Sequence, residues 1–338
     1  MRYIGNKSKI LDFIEEVVRE KNPDLERKSF CDLFSGTATV ARHFRGKAAK
    51  IISNDLEFYS YVLQKNYVQN QHCDSLKDLI EDYDNTTPVH GLITEVCSPA
   101  GKSQRKFFTS ANAMKIDGVR GRIERDFISN VLTESQYYFL ICSLLESADK
   151  HSNTTGVYGA YLKNFNSRSQ ASMALEGAWP KEEQNSNEVF FKDANDLIKE
   201  ISGDILYLDP PYNSRQYGSN YHILNYIANY QDFEVNINPR TNEESKTALS
   251  DYNKSSYSKK SQAKIAMESL IAASDFGSVF MSYNDEGIIS SDEIEEIFSK
   301  YGVYSRRVKE HKRYKSNIKS NHKQNKSVKE YIHIVEKK

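Results

Sequence analysis

The stretch Leu206-Tyr207-Leu208-Asp209-Pro210-Pro211-Tyr212-Asn213-Ser214 decides how this chain is read, because an apolar strand runs directly into a turn made of an acid, two prolines and an aromatic residue. Consecutive prolines fix two φ angles and remove two backbone donors, so the turn is stiff and leaves the Pro210 carbonyl available as an acceptor. In open α/β sheets, ligands bind at the carboxyl ends of the strands. The stretch therefore predicts a rigid group of acceptors at a ligand-binding edge. Asp and Pro are also common turn formers, so the elements around the turn must decide between scaffold and site.

Upstream, Ser29 to Phe34 reads as a short buried strand, Ser35-Gly36-Thr37-Ala38 as a small-residue turn, and Thr39 to Phe44 as the start of a helix. Lys50 to Asp55 is a second strand, and the residues from Leu56 to Val68 have helical spacing. A helix whose apolar residues run from Ile10 to Val18 precedes all of these and stops at Asn22-Pro23. This βαβα rhythm predicts a parallel sheet covered by helices on both faces. The alternation is lost between about Gln69 and Asn187, apart from a helix from Thr133 to about Lys150, so that region looks inserted. Strands resume at Glu188–Asp193, Asp204–Asp209, Phe276–Tyr283 and Tyr331–Glu336, with a helix over residues 289–301. The expected division is a main domain of residues 1–69 and 187–338 and an inserted region of residues 70–186. The polar stretch Asp232 to Gln262 is expected to be a mobile loop.

The 46 basic and 46 acidic residues cancel, which argues against coating nucleic acid by bulk charge. The basic residues are nevertheless clustered. One run, from Arg306 to Lys329, includes Arg307, Lys312 and Arg313 and reads as a basic tail; another includes Lys102, Arg105, Lys106, Arg120 and Arg122. A charge run is often only a solvated face, but two of them in a neutral chain fit a cleft that tracks phosphates. No apolar run approaches the roughly 20 residues of a membrane span, and the opening MRYIGNKSKI lacks a secretory apolar region. A soluble cytoplasmic protein is expected. The four cysteines show neither CxxC nor Cys/His spacing, so no disulfide framework and no metal site is expected.

These elements give the turn a chemical context. Gly36 allows a tight bend and close approach of a ligand after the first strand. Asp55 ends the second strand, where a nucleoside's ribose hydroxyls find an acceptor in doubly wound folds, and Asp193-Ala194 ends a third, suited to an adenine edge. An adenine amino group is a weak nucleophile because its lone pair is delocalised into the ring. The Asp209 carboxylate and the Pro210 carbonyl can each accept one of its hydrogens, which favours a pyramidal nitrogen aimed at the electrophilic methyl of a sulfonium donor. Pro211 stiffens the turn and Tyr212 offers a face for the base to stack on.

In these motifs and their order the sequence resembles the α-group, Dam-like adenine-specific DNA methyltransferases over nearly its whole length. RYIGNKSKIL resembles the family's amino-terminal motif, DLFSG the donor-binding turn, SNDLEFYSYVL and VFFKDANDLI the motifs of the second and third strands, LYLDPPYNSRQY the catalytic motif and KEYIHIV the closing strand. The resemblance implies a Rossmann-like α/β fold with seven strands, an inserted target recognition domain, S-adenosylmethionine as cofactor, and double-stranded DNA as substrate. It places Asp209, Pro210, Pro211 and Tyr212 in catalysis, and Tyr3, Lys7, Asp32, Phe34, Gly36, Asp55, Asp193, Ala194 and Asp209 around the donor. The first motif departs from the family in reading Ile4-Gly5-Asn6-Lys7 where a Gly-Gly pair is common. The implied reaction is methyl transfer to N6 of an adenine flipped out of duplex DNA, as the modification enzyme of a restriction-modification system. A separate restriction endonuclease is then a natural partner, while oligomeric state and recognition sequence are not legible.

Two other readings compete. RNA bases and glutamine amides also carry delocalised nitrogens, although an aspartate in the first position favours a nucleobase amine. A catalytically idle nucleic-acid-binding module with the same fold is opposed by the intact Asp209 and Tyr212, and a transfer assay with labelled donor separates the two.

Overall fold

A computed structural model describes residues 1–182, 186–230, 252–312 and 327–337. Its strands are β1 (Ser29–Asp32), β2 (Lys50–Asp55), β3 (Glu188–Phe191), β4 (Ser202–Leu208), β5 (Asp275–Asn284), β6 (Gly302–Lys312) and β7 (Ser327–Lys337). Its helices are α1 (Leu11–Lys21), α2 (Thr39–Phe44), α3 (Phe58–Gln64), α4 (Ser75–Asp84), α5 (Leu92–Cys97), α6 (Ser110–Ile128), α7 (Glu134–Lys150), α8 (Ser167–Gln170), α9 (Ala194–Leu197), α10 (Tyr217–Asn229), α11 (Ala263–Ala273) and α12 (Ser291–Ser299).

The seven strands form one sheet in the order β3-β2-β1-β4-β5-β7-β6. The first five are parallel, while β7 runs antiparallel to both β5 and β6. The central strands are buried on both faces, as a parallel sheet under two helical layers requires. Neighbouring residues divide between two cores: Phe30, Ile51, Ile205 and Tyr207 face one, and Cys31, Ile52, Leu206 and Leu208 face the other. The chain leaves β1 toward β2 and β3 on one side and enters β4 toward β5 on the other. That reversal opens a crevice at the carboxyl ends of β1 and β4, where such folds bind ligands.

Local chemistry fixes the ends of the helices. Thr133 and Ser290 each close a capping box, with Gln136 and Glu293 respectively, at the starts of α7 and α12. Helices α4 to α8 lie between Ser75 and Gln170, and Phe139, Leu140 and Leu144 of α7 share a core with Phe30 and Tyr207 of the sheet. Arg2 also binds this region, donating to Asp149 O at 2.7 Å, Ser152 Oγ at 2.7 Å and Thr154 O at 2.9 Å.

Two expectations need correction. Arg306 to Lys312 belong to β6 and pair with β7 rather than forming a tail; a strand this rich in cations lacks the apolar alternation that identifies strands in sequence. The stretch from Asp232 to Gln262 is not one loop throughout. Residues 232–251 lie outside the described residues, as does Arg313, but residues 252–262 form a short turn with a buried Tyr257 that leads into α11.

Candidate active site

The crevice is a cleft whose lining includes all nine residues expected around a donor: Tyr3, Lys7, Asp32, Phe34, Gly36, Asp55, Asp193, Ala194 and Asp209.

The glycine turn is tightly determined. Gly36 has φ +52°, a left-handed conformation that costs a side chain strain, and a Cβ there would stand 3.0 Å from Cε1 of Tyr3. The Tyr3 ring stacks on Tyr221 at 4.5 Å, and its hydroxyl lies 3.0 Å from that of Tyr59. Gly36 N donates to Asp55 Oδ2 at 2.8 Å and Glu57 N to Asp55 Oδ1 at 2.9 Å, so Asp55 ties the turn to the end of β2. Asp32, at the end of β1, accepts from Ser35 Oγ and Ala41 N through Oδ2, both at 3.0 Å. Its Oδ1 is buried and has no protein partner. Burial pushes the Asp32 carboxyl up to about 7, as it does the neighbouring Glu57. Asp193 caps α9 by accepting from Asn195 N at 2.8 Å and still lines the cleft, so one carboxylate fixes the turn and faces the cavity.

The stiff turn lies across the crevice. Asp209 and Pro211 line the cleft, Pro210 is buried beneath it, and Tyr212 stands alongside with its ring edge-on to Tyr283 at 6.3 Å. Ile288 N donates to Tyr212 O at 3.0 Å, anchoring the turn to the segment after β5. Lys7 Nζ lies 3.0 Å from Asp209 Oδ1, 2.9 Å from Glu330 Oε1 and 5.6 Å from the centre of the Tyr212 ring. Burial pushes the Asp209 carboxyl up to about 6, with Glu330 adding to the rise and Lys7 opposing it. Burial also works against the Lys7 ammonium, but Asp209 and Glu330 outweigh it and hold that group well above its ordinary range. Asn6, the departure in the first motif, accepts from Ser8 N at 2.8 Å, and the left-handed position beside it is Gly5 at φ +77°. The missing second glycine thus leaves the bend intact.

The basic residues fare unevenly. Arg105 and Arg120 are buried, at 3% and 1% exposure, and Arg120 donates to the carbonyls of Ile227 and Ala228, both at 3.0 Å. Arg120 therefore holds the scaffold, and Arg105 is too buried to lie on a solvated face. Arg122 pairs with Asp82 and Asp126, and Arg307 with Glu20. Lys106 donates to Lys163 O at 3.3 Å. Lys102 and Arg306 are exposed, Arg306 lying 5.7 Å from the centre of the Tyr331 ring. The Lys312 side chain lies outside the described residues. Among the described residues, no helix is long and apolar enough to cross a membrane, and no cluster of three or more His, Cys, Asp or Glu residues could hold a metal ion.

Several cleft residues were not singled out from the sequence. Tyr217 packs on Tyr3 at 5.4 Å, Tyr257 meets Phe34 edge-on at 5.0 Å, and Ser255 N donates to Gln216 Oε1 at 2.8 Å across the mouth. Glu57 lines the cleft too, and Glu330 lies outside its lining, paired with Lys7. Of these, only Gln216 and Tyr217 lay close enough to the proline turn, in the same NSRQY run, for sequence to have suggested them.

Comparison with known proteins places the sequence beside adenine methyltransferases. The family described as D12 class N6 adenine-specific DNA methyltransferase matches residues 3–315. The type II methyltransferase M.NlaIII of Neisseria lactamica is 43% identical, over 100% of this chain and 99% of its own. The type II methyltransferase M.CviAII of Paramecium bursaria Chlorella virus 1 is 35% identical, over 98% and 97% respectively. The type II methyltransferase M.FokI of Planomicrobium okeanokoites is 34% identical over 100% of this chain, which spans only 53% of that protein.

Proposed function

Because the chain belongs to the D12 class N6 adenine-specific DNA methyltransferases and therefore modifies adenine in DNA, we propose that its cleft binds S-adenosylmethionine at the glycine turn and receives a flipped adenine at Asp209–Tyr212. The observation that carries this reading is the convergence of the turn, the buried Asp209–Lys7 pair and the glycine bend on one cleft. The residues present fit the donor. Asp32 Oδ1 is a buried acceptor with no protein partner, suited to an ammonium, and Gly36 keeps the backbone open where a Cβ would meet the Tyr3 ring. Asp55 and Glu57 would hold the ribose hydroxyls and Asp193 the adenine edge, beside an aromatic wall of Phe34 and Tyr257. The bound donor supplies an electrophilic methyl group.

The chain's own residues prepare the nucleophile. Asp209 and the Pro210 carbonyl each accept one hydrogen of the adenine amino group, which localises the nitrogen lone pair. Lys7 fixes the Asp209 carboxylate through its 3.0 Å contact. After transfer, the acidified nitrogen loses a proton to Asp209 or to water. A base inside a duplex cannot reach this cleft, so it must be extruded, and the Tyr212 ring receives it. Residues 70–186, which lie between the donor-binding and catalytic motifs, serve as the target recognition region. The names of the relatives support a role as the modification enzyme of a restriction-modification system.

Asp209→Ala and Tyr212→Ala test the reading with 2-aminopurine at the target position. Asp209→Ala should abolish transfer while donor binding and the fluorescence rise on flipping persist. Tyr212→Ala should lose roughly 1–3 kcal/mol of base stacking, and Tyr212→Phe should retain most activity. An active Asp209→Ala, or a Tyr212→Ala as fast as the parent, would make the turn a structural element.

A further inference from the structure

We propose that Glu330 of β7 is a positioning residue for methyl transfer: it shares Lys7 with Asp209, so that the ammonium orients the acceptor carboxylate without neutralising it. This inference rests on the reading of Asp209 as the acceptor of the adenine amino hydrogen.

The geometry is a buried array of three charged groups. Lys7 Nζ lies 3.0 Å from Asp209 and 2.9 Å from Glu330, and the exposures of the Lys7, Glu330 and Asp209 side chains are 7%, 8% and 18%. Asp209 is thus the member open to the cleft, while Glu330 lies behind Lys7. Ser282 of β5 is fully buried and donates from Oγ to Glu330 Oε1 at 3.0 Å. The antiparallel register pairs Asn284 with Glu330 and Ser282 with Ile332, so Ser282 and Glu330 sit on one face of the sheet as diagonal neighbours.

Charge counting gives the function. A lone Lys7–Asp209 pair would be neutral, its carboxylate polarised toward the ammonium rather than the cleft. One ammonium between two carboxylates leaves one negative charge, carried by the member that faces the ligand. Removing three charges from water is expensive, and a buried ion pair is often replaceable by apolar side chains without loss of stability. An array of this kind at the edge of a cleft is therefore better explained by its effect on the cleft than by a contribution to the fold.

The test is E330Q in the full chain, compared at saturating DNA and donor. Gln keeps the side chain's size and one acceptor but removes the charge. The turnover number should fall about 10- to 100-fold, the range expected for a charge-assisted hydrogen bond, with donor affinity by calorimetry within about twofold of the parent. The acid limb of the rate profile should move to lower pH, because Glu330 helps to raise the Asp209 carboxyl. Asp32, Tyr207, Tyr212 and Tyr217 also border this group and are unchanged in the variant. A parental turnover number and limb overturn the proposal, and so does a rate loss that cooling restores while the limb stays in place. Should E330Q fail to fold, S282A removes the hydroxyl that holds Glu330 in place while keeping its charge; it should lower turnover several-fold with donor affinity unchanged, and a parental turnover number again refutes the idea. Asp209→Ala run in parallel separates the two readings: activity there sinks the assignment of the turn, whereas an inactive Asp209→Ala beside a parental E330Q sinks only the role of Glu330.

Discussion

Gly36→Ala tests the donor turn at its tightest point. The first cost is conformational: at φ +52° a residue with a Cβ loses roughly 1–2 kcal/mol relative to glycine. The second is steric, since the new methyl would stand 3.0 Å from Cε1 and 3.4 Å from Cζ of Tyr3. Stacked on Tyr221 and bonded to the Tyr59 hydroxyl, the Tyr3 ring cannot retreat, so overpacking adds about 1–3 kcal/mol. The sum, about 2–5 kcal/mol, divides between lost stability and lost donor affinity, because Gly36 N is also the group that fixes Asp55. Chemical denaturation and calorimetric titration of the donor, each in wild-type and Tyr3→Ala backgrounds, separate the parts. Without the ring, Gly36→Ala should retain only the conformational cost. Equal losses in both backgrounds would refute the steric account, and no loss in either would refute the left-handed turn itself.

In the proposed mechanism Asp209 accepts the amino hydrogen in its ionised form, and its carboxyl is raised to about 6, so the turnover number should decline as pH falls through about 6; a flat profile from pH 8 to about 5 would contradict this. The raised carboxyls of Asp32 and Glu57, each at about 7, bind protons more tightly in the folded chain than in the unfolded one. Their contribution to stability is fully present below about pH 4 and lost as pH rises through about 7. Donor-free protein should therefore melt higher at about pH 5.5 than at about pH 8, and the opposite order in calorimetry would count against their burial. Arg120→Ala leaves the buried carbonyls of Ile227 and Ala228 without their donor, at roughly 1–3 kcal/mol for each. It should lower the melting temperature yet leave the salt dependence of DNA affinity unchanged. Exposed Arg215, Lys254, Lys259 and Lys260 lie beside the cleft mouth. Neutralising all four should reduce the slope of log affinity against log salt by about 0.9 for each phosphate they had neutralised, and an unchanged slope would mark them as solvated surface.

The parts of this fold that were legible in sequence are those whose periodicity reports burial on both sides. The runs at Ile51-Ile52 and Ile205 to Leu208 are apolar without interruption because helices cover both faces, and glycine and proline punctuation marked where they stop. β6 was hidden for the opposite reason. It is the edge strand, and Arg306, Arg307 and Lys309 suit solvent, so its composition resembled a tail. The same blindness affected Arg105 and Arg120, because sequence gives a cation's charge but not its burial, nor the carbonyls that receive Arg120. Within the site, the acids at strand ends could be found because topology alone brings them to one edge. Glu330 could not, since only the antiparallel register of β7 against β5 brings it behind Lys7.

That register also bears on how the protein is made. Lys7 leaves the ribosome before any of the seven strands, and Glu330 leaves with the last of them. Contacts between such distant parts of a chain form late, after the intervening sheet exists to bring them together. Until β7 slots between β5 and β6, the Lys7 of a nascent chain lacks the carboxylate that stands behind it. If Glu330 tunes Asp209 as proposed, full competence for catalysis is among the last properties the chain acquires.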